Sequence, residues 1–229
     1  MNYLKTIFSD DSDFEDLKLI GSAATGTMRK GSGDLDFFII FSNEKDILKF
    51  DKKMRSTNLD ITKTKIEEAY GYIKVSGKFN NYNFVVVPIK NPCGKIDSYV
   101  SDAFYHPEFI LKNRSDNHIE HTILAKEFFD KTGLYEKIRG ISCELMIIKY
   151  GSIDNLINAI ANSESIRVNF SNNHETYSSN PIIVDYPYIG GRSISKSITR
   201  EDYSKIQILA RKILADPANL LRDEFRMTI

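Results

Sequence analysis

Residues 35–42 read Leu-Asp-Phe-Phe-Ile-Ile-Phe-Ser, an apolar run bounded by Gly33 and Asn43. Its length and its aromatic and β-branched content are those of a buried central strand. A strand of that kind commits the head of the chain to a sheet with helices packed on it.

The same run begins inside the triplet Asp34-Leu35-Asp36. In a strand, residues i and i+2 face one side. Asp34 and Asp36 therefore set two carboxylates in a row, while Leu35 and Phe37 turn the other way, toward core. Paired carboxylates hold hard cations through oxygen. Phosphoryl transfer uses this arrangement: two Mg²⁺ ions about 3.5–4 Å apart neutralise a triphosphate and activate the attacking hydroxyl. Upstream, residues 17–20 read as a short strand, and Gly21-Ser22 opens a turn into a short helix reaching Thr27. Glycine allows the tight turn and a close backbone approach to phosphate. Backbone N–H groups at the helix start, with the Ser22 hydroxyl, suit the β- and γ-phosphates, and Thr27 closes the far side. A lone Asp-x-Asp is more often a solvated turn, and a lone Gly-Ser is a common bend. Their order around two strands points instead to a nucleotide site, with Asp34 and Asp36 as its catalytic, metal-holding groups.

Further along, residues 43–57 have apolar positions at Ile47, Leu48, Phe50 and Met54 near helical spacing, which predicts a surface helix. Residues 70–78 and 82–89 flank an Asn-rich turn and predict a β-hairpin. After Pro92 the pattern turns helical, over 99–112, 117–131, 141–150 and 153–161. Residues 163–184 are polar and predict a loop or hairpin, with 182–184 a short strand. A last amphipathic helix spans 200–215, with Thr199 as N-cap and Pro217 closing it. The organisation predicted is a head over 1–98 and a helical domain over 99–229.

Lys plus Arg and Asp plus Glu number 31 each, so there is no net charge and any groove for a polyanion must be local. Cys93 and Cys143 have neither disulfide-framework nor metal-site spacing. With no leader-like N-terminus and no apolar run near the ~20 residues that span a bilayer, a cytoplasmic protein without a membrane partner is expected.

The stretch Gly21-Ser22-Ala23-Ala24-Thr25-Gly26-Thr27, six residues, then Asp34-Leu35-Asp36 resembles the signature of the polymerase-β-like nucleotidyltransferases. Its form is similar to that of class I, archaeal-type CCA-adding enzymes, and the likeness runs from about residue 17 to residue 216. Residues 104–112 resemble the family's segment with a triphosphate-binding histidine, matched by His106. Residues 124–135 resemble its helix with a nucleotide-binding lysine and tyrosine, matched by Lys126 and Tyr135. Residues 143–152 are close to the family pattern. In Asp185 to Arg192, Arg192 matches an arginine that reads the base edge. The resemblance implies an α+β fold: a polymerase-β-like palm, a mixed sheet with flanking helices, followed by a mostly helical domain. It also implies transfer of C and A from CTP and ATP to a tRNA 3′ end, with Mg²⁺ of the two-metal type. Taken singly, Lys126 reads as a solvated helix lysine, Tyr135 as packing and His106 as a helix-capping histidine.

Two departures stand out. The family's third carboxylate lies just before a Val-Pro, where this chain has Val85 in Phe84-Val85-Val86-Val87-Pro88. Valine neither binds metal nor takes a proton, so nucleotide binding is expected to outlast the attack step. Asp60, Glu67, Glu68 and Asp102 are the acids near enough in sequence to substitute. Second, the family's C-terminal body and tail, which grip tRNA, have no counterpart. A smaller acceptor, a partner-bound RNA, or a homodimer or partner protein covering the helical domain then becomes the expectation. A catalytically weak nucleotide-binding regulator or subunit, and transfer to a small molecule or protein, are the alternatives.

Overall fold

The computed structural model describes residues 2–31, 33–43, 50–57, 60–67, 72–79, 82–171, 179–189 and 193–216. The chain divides into two compact units, Met1–Pro107 and Glu108–Ile229.

In the first unit the elements are α1 (Asn2–Phe8), β1 (Phe14–Ile20), α2 (Gly21–Thr25), β2 (Asp34–Phe41), α3 (Phe50–Arg55), β3 (Asp60–Glu67), β4 (Tyr72–Phe79), β5 (Tyr82–Lys90) and α4 (Tyr99–Asn113). The division into units falls within α4, just after its internal Pro107. The sheet order is β1-β2-β5-β4-β3. β2 runs parallel to β5, and the other pairings are antiparallel, which makes the sheet mixed. β2 reads as an unbroken apolar run because both its faces are covered. On one face Phe37, Ile39 and Phe41 pack with Phe8 of α1 and with Phe50 and Met54 of α3. Phe8 stacks on Phe50 at 5.6 Å and meets Phe41 edge-on at 5.9 Å. On the other face Phe38, Ile40, Val85, Val87 and Ile89 pack with Val100, Ala103 and Phe104 of α4.

The predicted hairpin is β4–β5, closing at Phe79 and Tyr82. α3 is more than a surface helix, since Phe50 and Met54 are fully buried; Ile47 and Leu48 lie outside the described residues. β3 was not predicted. Its Ile61 and Ile66 are five residues apart, an odd spacing that hides a period of two, and the ladder shifts register between Ile61 and Lys63.

The second unit holds α5 (His118–Lys131), α6 (Tyr135–Ile138), α7 (Gly140–Tyr150), α8 (Ile153–Asn162), β6 (Ile166–Val168), β7 (Ile182–Val184) and α9 (Arg200–Ala215). Its core is one cluster centred on Phe128, Phe129, Leu145, Met146, Leu156 and Ile206. α9 starts at a capping box: Thr199 Oγ1 accepts from Asp202 N–H at 3.0 Å, and Asp202 accepts from Thr199 N–H at 3.2 Å. β6 and β7 pair in parallel, so a hairpin over 163–184 is corrected. Parallel pairing requires the chain to travel back the length of the strand instead of turning tightly. Pro217 lies outside the described residues. Among the described residues, no helix is long and apolar enough to cross a membrane.

Candidate active site

Asp34 and Asp36 are the first and third residues of β2 and share its α4-side face. Asp34 is exposed and Asp36 half-buried. In register, Asp36 stands between Ile20 of β1 and Val85 of β5. The next residue after Ile20 is Gly21, at φ +64°, and a Cβ there would lie 2.6 Å from Asp36 Oδ2. Glycine is thus required twice over, by backbone angle and by the carboxylate seated against it. The small-residue turn and the acid pair form one local structure.

α2 ends on Gly26 at φ +81°, whose N–H bonds Ser22 O. Thr27 N–H bonds the same carbonyl at 2.9 Å. Thr27 is fully buried, with its hydroxyl 3.1 Å from that of Thr25. It holds the turn from inside. Ser22 remains half-exposed at the turn's start.

Burial, and then the charge of Asp34, push the Asp36 carboxyl up to about 6, while Lys74 of β4 pulls the other way. Like charge confined in this way favours a cation, and two carboxylate oxygen sets match a hard divalent ion such as Mg²⁺. Those two residues would hold it, with remaining ligands from phosphate and water.

Among the described residues, no third acid joins them. Val85, beside Asp36 in the ladder, is buried among Phe38, Val87 and Ile89. Asp102 is fully buried on α4 and engages His106 Nε2 at 2.7 Å. Asp60 and Glu67 sit on β3, three strand spacings or about 14 Å from β2. Glu68 lies outside the described residues. Among the described residues, no group of three or more His, Cys, Asp or Glu is arranged to hold a metal. His106 is mostly buried on α4, one helical turn from the Asp102 that orients it.

In the second unit Lys126 and Tyr135 come together. A Cβ on Gly140 would lie 3.1 Å from Tyr135 Oη, and 3.4 and 3.5 Å from Lys126 Cε and Nζ. Gly140 is the first residue of α7, and in the same turn Ser142 Oγ is buried with no hydrogen-bond partner. Lys126 is 1 % exposed, which removes the reading of a solvated helix lysine. One α5 stripe carries His118, Thr122 and Lys126 at intervals of four, all buried. Thr122 Oγ1 lies 3.3 Å from His118 Nε2, and His118 Nδ1 has no partner. Burial, then Arg114, Lys126 and His121, lower His118 to about 4, so it is neutral. Arg192 lies outside the described residues.

Sequence reasoning missed Gly140, Ser142 and His118. Gly140 is marked only by its place at a helix start, whereas His118 and Thr122 could have been found from their four-residue spacing to Lys126. A cleft of about 560 Å³, lined by Arg200, Tyr203, Gln207 and Arg211 among others, contains none of the expected residues. Its donors cap the end of α8: Gln207 reaches Ile160 O at 3.1 Å, Arg211 reaches Ala161 O at 3.1 Å and Arg200 reaches Glu164 O at 2.9 Å.

Residues 1–116 match the family described as nucleotidyltransferase domain, and residues 120–221 match tRNA nucleotidyltransferase, second domain. The CCA-adding enzyme of Thermoplasma volcanium is 25 % identical over 224 residues, covering 92 % of this chain and 49 % of that protein. The CCA-adding enzyme of Methanococcus maripaludis strain C5 is 28 % identical over 232 residues, covering 89 % and 51 %. The chain spans about half the length of these curated relatives. Among solved structures, the Cid1 poly(U) polymerase superposes with a TM-score of 0.72 at 11 % identity, over 97 % of this chain and 89 % of that one. CdnC of E. coli MS115-1 with ATP superposes at 0.62 and 14 % identity, over 100 % and 84 %. At such identities the likeness is one of fold, a mixed-sheet head followed by a helical part. With its first half matched from end to end and its second half matched to the companion domain, the chain belongs to the nucleotidyltransferase family.

Proposed function

We propose that this chain transfers a nucleotide from CTP or ATP to the 3′ end of an RNA resembling a tRNA acceptor, with Mg²⁺ held by Asp34 and Asp36. The observation that carries the reading is the seating of the Asp36 carboxylate against Gly21, which joins acid pair and phosphate turn. In the reaction the terminal hydroxyl oxygen of the RNA bonds the α-phosphorus and gives up its proton to water. The bridge to the β-phosphate breaks and pyrophosphate leaves. Magnesium supplies charge neutralisation on the triphosphate and acidifies the attacking hydroxyl. The residues do the rest. Gly21 and Ser22 present backbone N–H and hydroxyl to phosphate. Lys126 gives a point charge, and Tyr135 and Ser142 give hydroxyl donors. His106, with Nε2 on Asp102, donates to a phosphate oxygen through Nδ1 in its doubly protonated form. Arg192 presents a planar fork to the base edge. A second ion of the two-metal arrangement would rest on Asp34, Asp36 and reactant oxygens alone.

The test is incubation with labelled CTP or ATP, Mg²⁺ and tRNA lacking its terminal residues. Extension by the wild type and none by Asp36→Ala is the expected result. No extension with Mg²⁺ or Mn²⁺, and no rise in thermal midpoint with nucleotide, would sink it. Val85 favours a second reading, a nucleotide-binding subunit with weak turnover. On that reading nucleotide raises the midpoint by mass action without product, and Val85→Asp brings turnover up.

A further inference from the structure

We propose that the cleft between the C-terminal end of α8 and one face of α9 grips the sugar-phosphate backbone of the acceptor RNA through Arg200 and Arg211. This rests on the nucleotidyl-transfer reading and adds a place on the second unit where its acceptor is held.

α9 lines the cleft with Arg200, Ser204, Gln207 and Arg211. Intervals of four, seven and eleven residues put all four on one helical face, with the arginines about 16 Å apart along the axis. Across from them α8 ends, between Ala161 and Glu164. A helix end leaves carbonyls without partners, and here α9 supplies the donors. Arg200 Nη1 donates to Glu164 O, Arg211 Nε to Ala161 O, and Gln207 Nε2 to both Ile160 O and Ser163 O. Tyr203 Oη also donates to Ser163 O. With these carbonyls covered, the helix end no longer repels an anion.

A guanidinium carries five N–H donors. Capping takes one from each arginine, and among the described residues neither arginine meets a carboxylate. Both side chains are exposed. The acids of the first turn of α9 are neutralised, Glu201 by Lys205 at 2.9 Å and Asp202 by Lys137 at 2.7 Å. Glu164 is the one acid of the lining, against two arginines. A third guanidinium, that of Arg167 on β6, lies near Tyr203. Burial, then Tyr150, push the Tyr203 phenol up to about 12, while Arg167 and Arg200 pull the other way. The balance at this cleft is cationic, in a chain with no net charge.

The lining selects the occupant. Tyr203 is its one aromatic residue, and that ring is 2 % exposed with its hydroxyl bonded, so a base has no surface to stack on. A free nucleotide would lack the apolar wall that small-molecule pockets provide. A phosphodiester chain needs only cations spaced along it, and arginine's planar fork matches phosphate oxygens.

The experiment uses the full chain and a fluorescent single-stranded RNA of ~12 nucleotides, within the usual range of site sizes. Anisotropy gives affinity against salt. Arg200→Gln/Arg211→Gln keeps an amide donor for each capped carbonyl, so the thermal midpoint without RNA should stay near the wild-type value. The slope of log affinity on log salt should fall by about 1.4, at about 0.7 per cation, with about a tenfold or greater loss at low salt. Arg211→Gln alone should lower the slope by about 0.7. Arg200→Lys/Arg211→Lys should restore it, and Lys5→Gln/Lys149→Gln, outside the cleft, should leave it unchanged. An abasic RNA of the same length should bind as the full RNA does. An unchanged slope in both glutamine variants, no RNA binding by the wild type, loss of binding with the abasic strand, or arginine-dependent binding of AMP or polyglutamate as tight as that of RNA would each overturn the proposal. Wild-type midpoints with Mg²⁺ and CTP or ATP are read in parallel. A nucleotide shift with no arginine effect on RNA removes the cleft alone, whereas loss of the nucleotide shift removes the reading beneath it.

Discussion

The two units each concentrate charge of one sign, and they do so in opposite senses. In the first, Asp34 stands beside Asp36, and burial with that neighbour lifts Asp36 to about 6. In the second, His118 is buried on the α5 stripe with Lys126, and burial with Arg114, Lys126 and His121 drops it to about 4. One cluster resists being anionic and the other resists being cationic. The clusters also differ in construction. The acid pair lies on a strand held by both neighbours, with glycine cut to fit it. The stripe with Lys126 lies on a helix, with unpartnered polar atoms at His118 on it and at Ser142 on α7.

The widest separation between the clusters is expected in turnover. On the proposed reaction, Asp36→Asn keeps the side chain's shape and removes its charge, and should cost about 10²–10³ in rate, the loss typical of one missing electrostatic element. Primer extension under single-turnover conditions reads it. A rate within a few fold of wild type would place the chemistry elsewhere.

pH separates the two clusters by sign. Asp36 has a raised folded pKa, so its contribution is complete below about 3.8 and is lost as pH rises through about 6. His118 has a lowered folded pKa, so its contribution is complete above about 6.5 and is lost as pH falls through about 4. Each is worth on the order of 3 kcal/mol, and over pH 4–6 they oppose each other. Asp36→Asn should therefore leave the metal-free protein losing stability on acidification, and His118→Asn should leave it gaining. Urea unfolding across that range checks both. Parallel profiles for the two variants would end the contrast.

A smaller effect tests the phosphate side. Lys126→Met keeps the buried stem and deletes the charge, and should weaken triphosphate binding by about 1.5–3 kcal/mol, the range for a charged hydrogen bond. The nucleoside, which lacks phosphate, should bind equally to both proteins in calorimetry. Equal loss for nucleoside and triphosphate would make Lys126 a packing residue.

Much of this could be read from the sequence where local chemistry and tertiary role agree. β2 is apolar, bounded and long enough to be a central strand. Thr199 and Asp202 are spaced for the capping box they form. The Asp34–Asp36 alternation needs only a strand to align two carboxylates. Legibility failed where partners decide. β3 carries an odd isoleucine spacing and shows its period only beside β4. Gly21 reads as a turn glycine, while its tighter constraint is the carboxylate of a residue fifteen positions later. Thr27 reads as a phosphate ligand, yet its hydroxyl turns inward to Thr25. The α5 stripe spells His-x-x-x-Thr-x-x-x-Lys, but its burial depends on what packs around it.

The glycines give the finest comparison of the two clusters, since a Cβ added at either would meet its cluster. Gly140→Ala would bring a methyl to 3.1 Å from Tyr135 Oη and 3.5 Å from Lys126 Nζ, both ends of movable side chains. Its backbone is not in the left-handed region, so a shift of a few tenths of an ångström accommodates the change. Gly21→Ala meets two costs together. At φ +64° the added Cβ costs about 1–2 kcal/mol, and at 2.6 Å from Oδ2 it forces Asp36 to rotate away. Rotation relieves the clash and also takes the carboxylate from beside Gly21 and Ser22. The expected result is a lower thermal midpoint for Gly21→Ala without ligand, with the Mg²⁺-nucleotide shift lost. Gly140→Ala should fold as the wild type does and keep most of that shift. If Gly21→Ala retained the full shift, the seat of Asp36 against the turn would be packing alone, and the acid pair would bind its ion without help from the bend upstream.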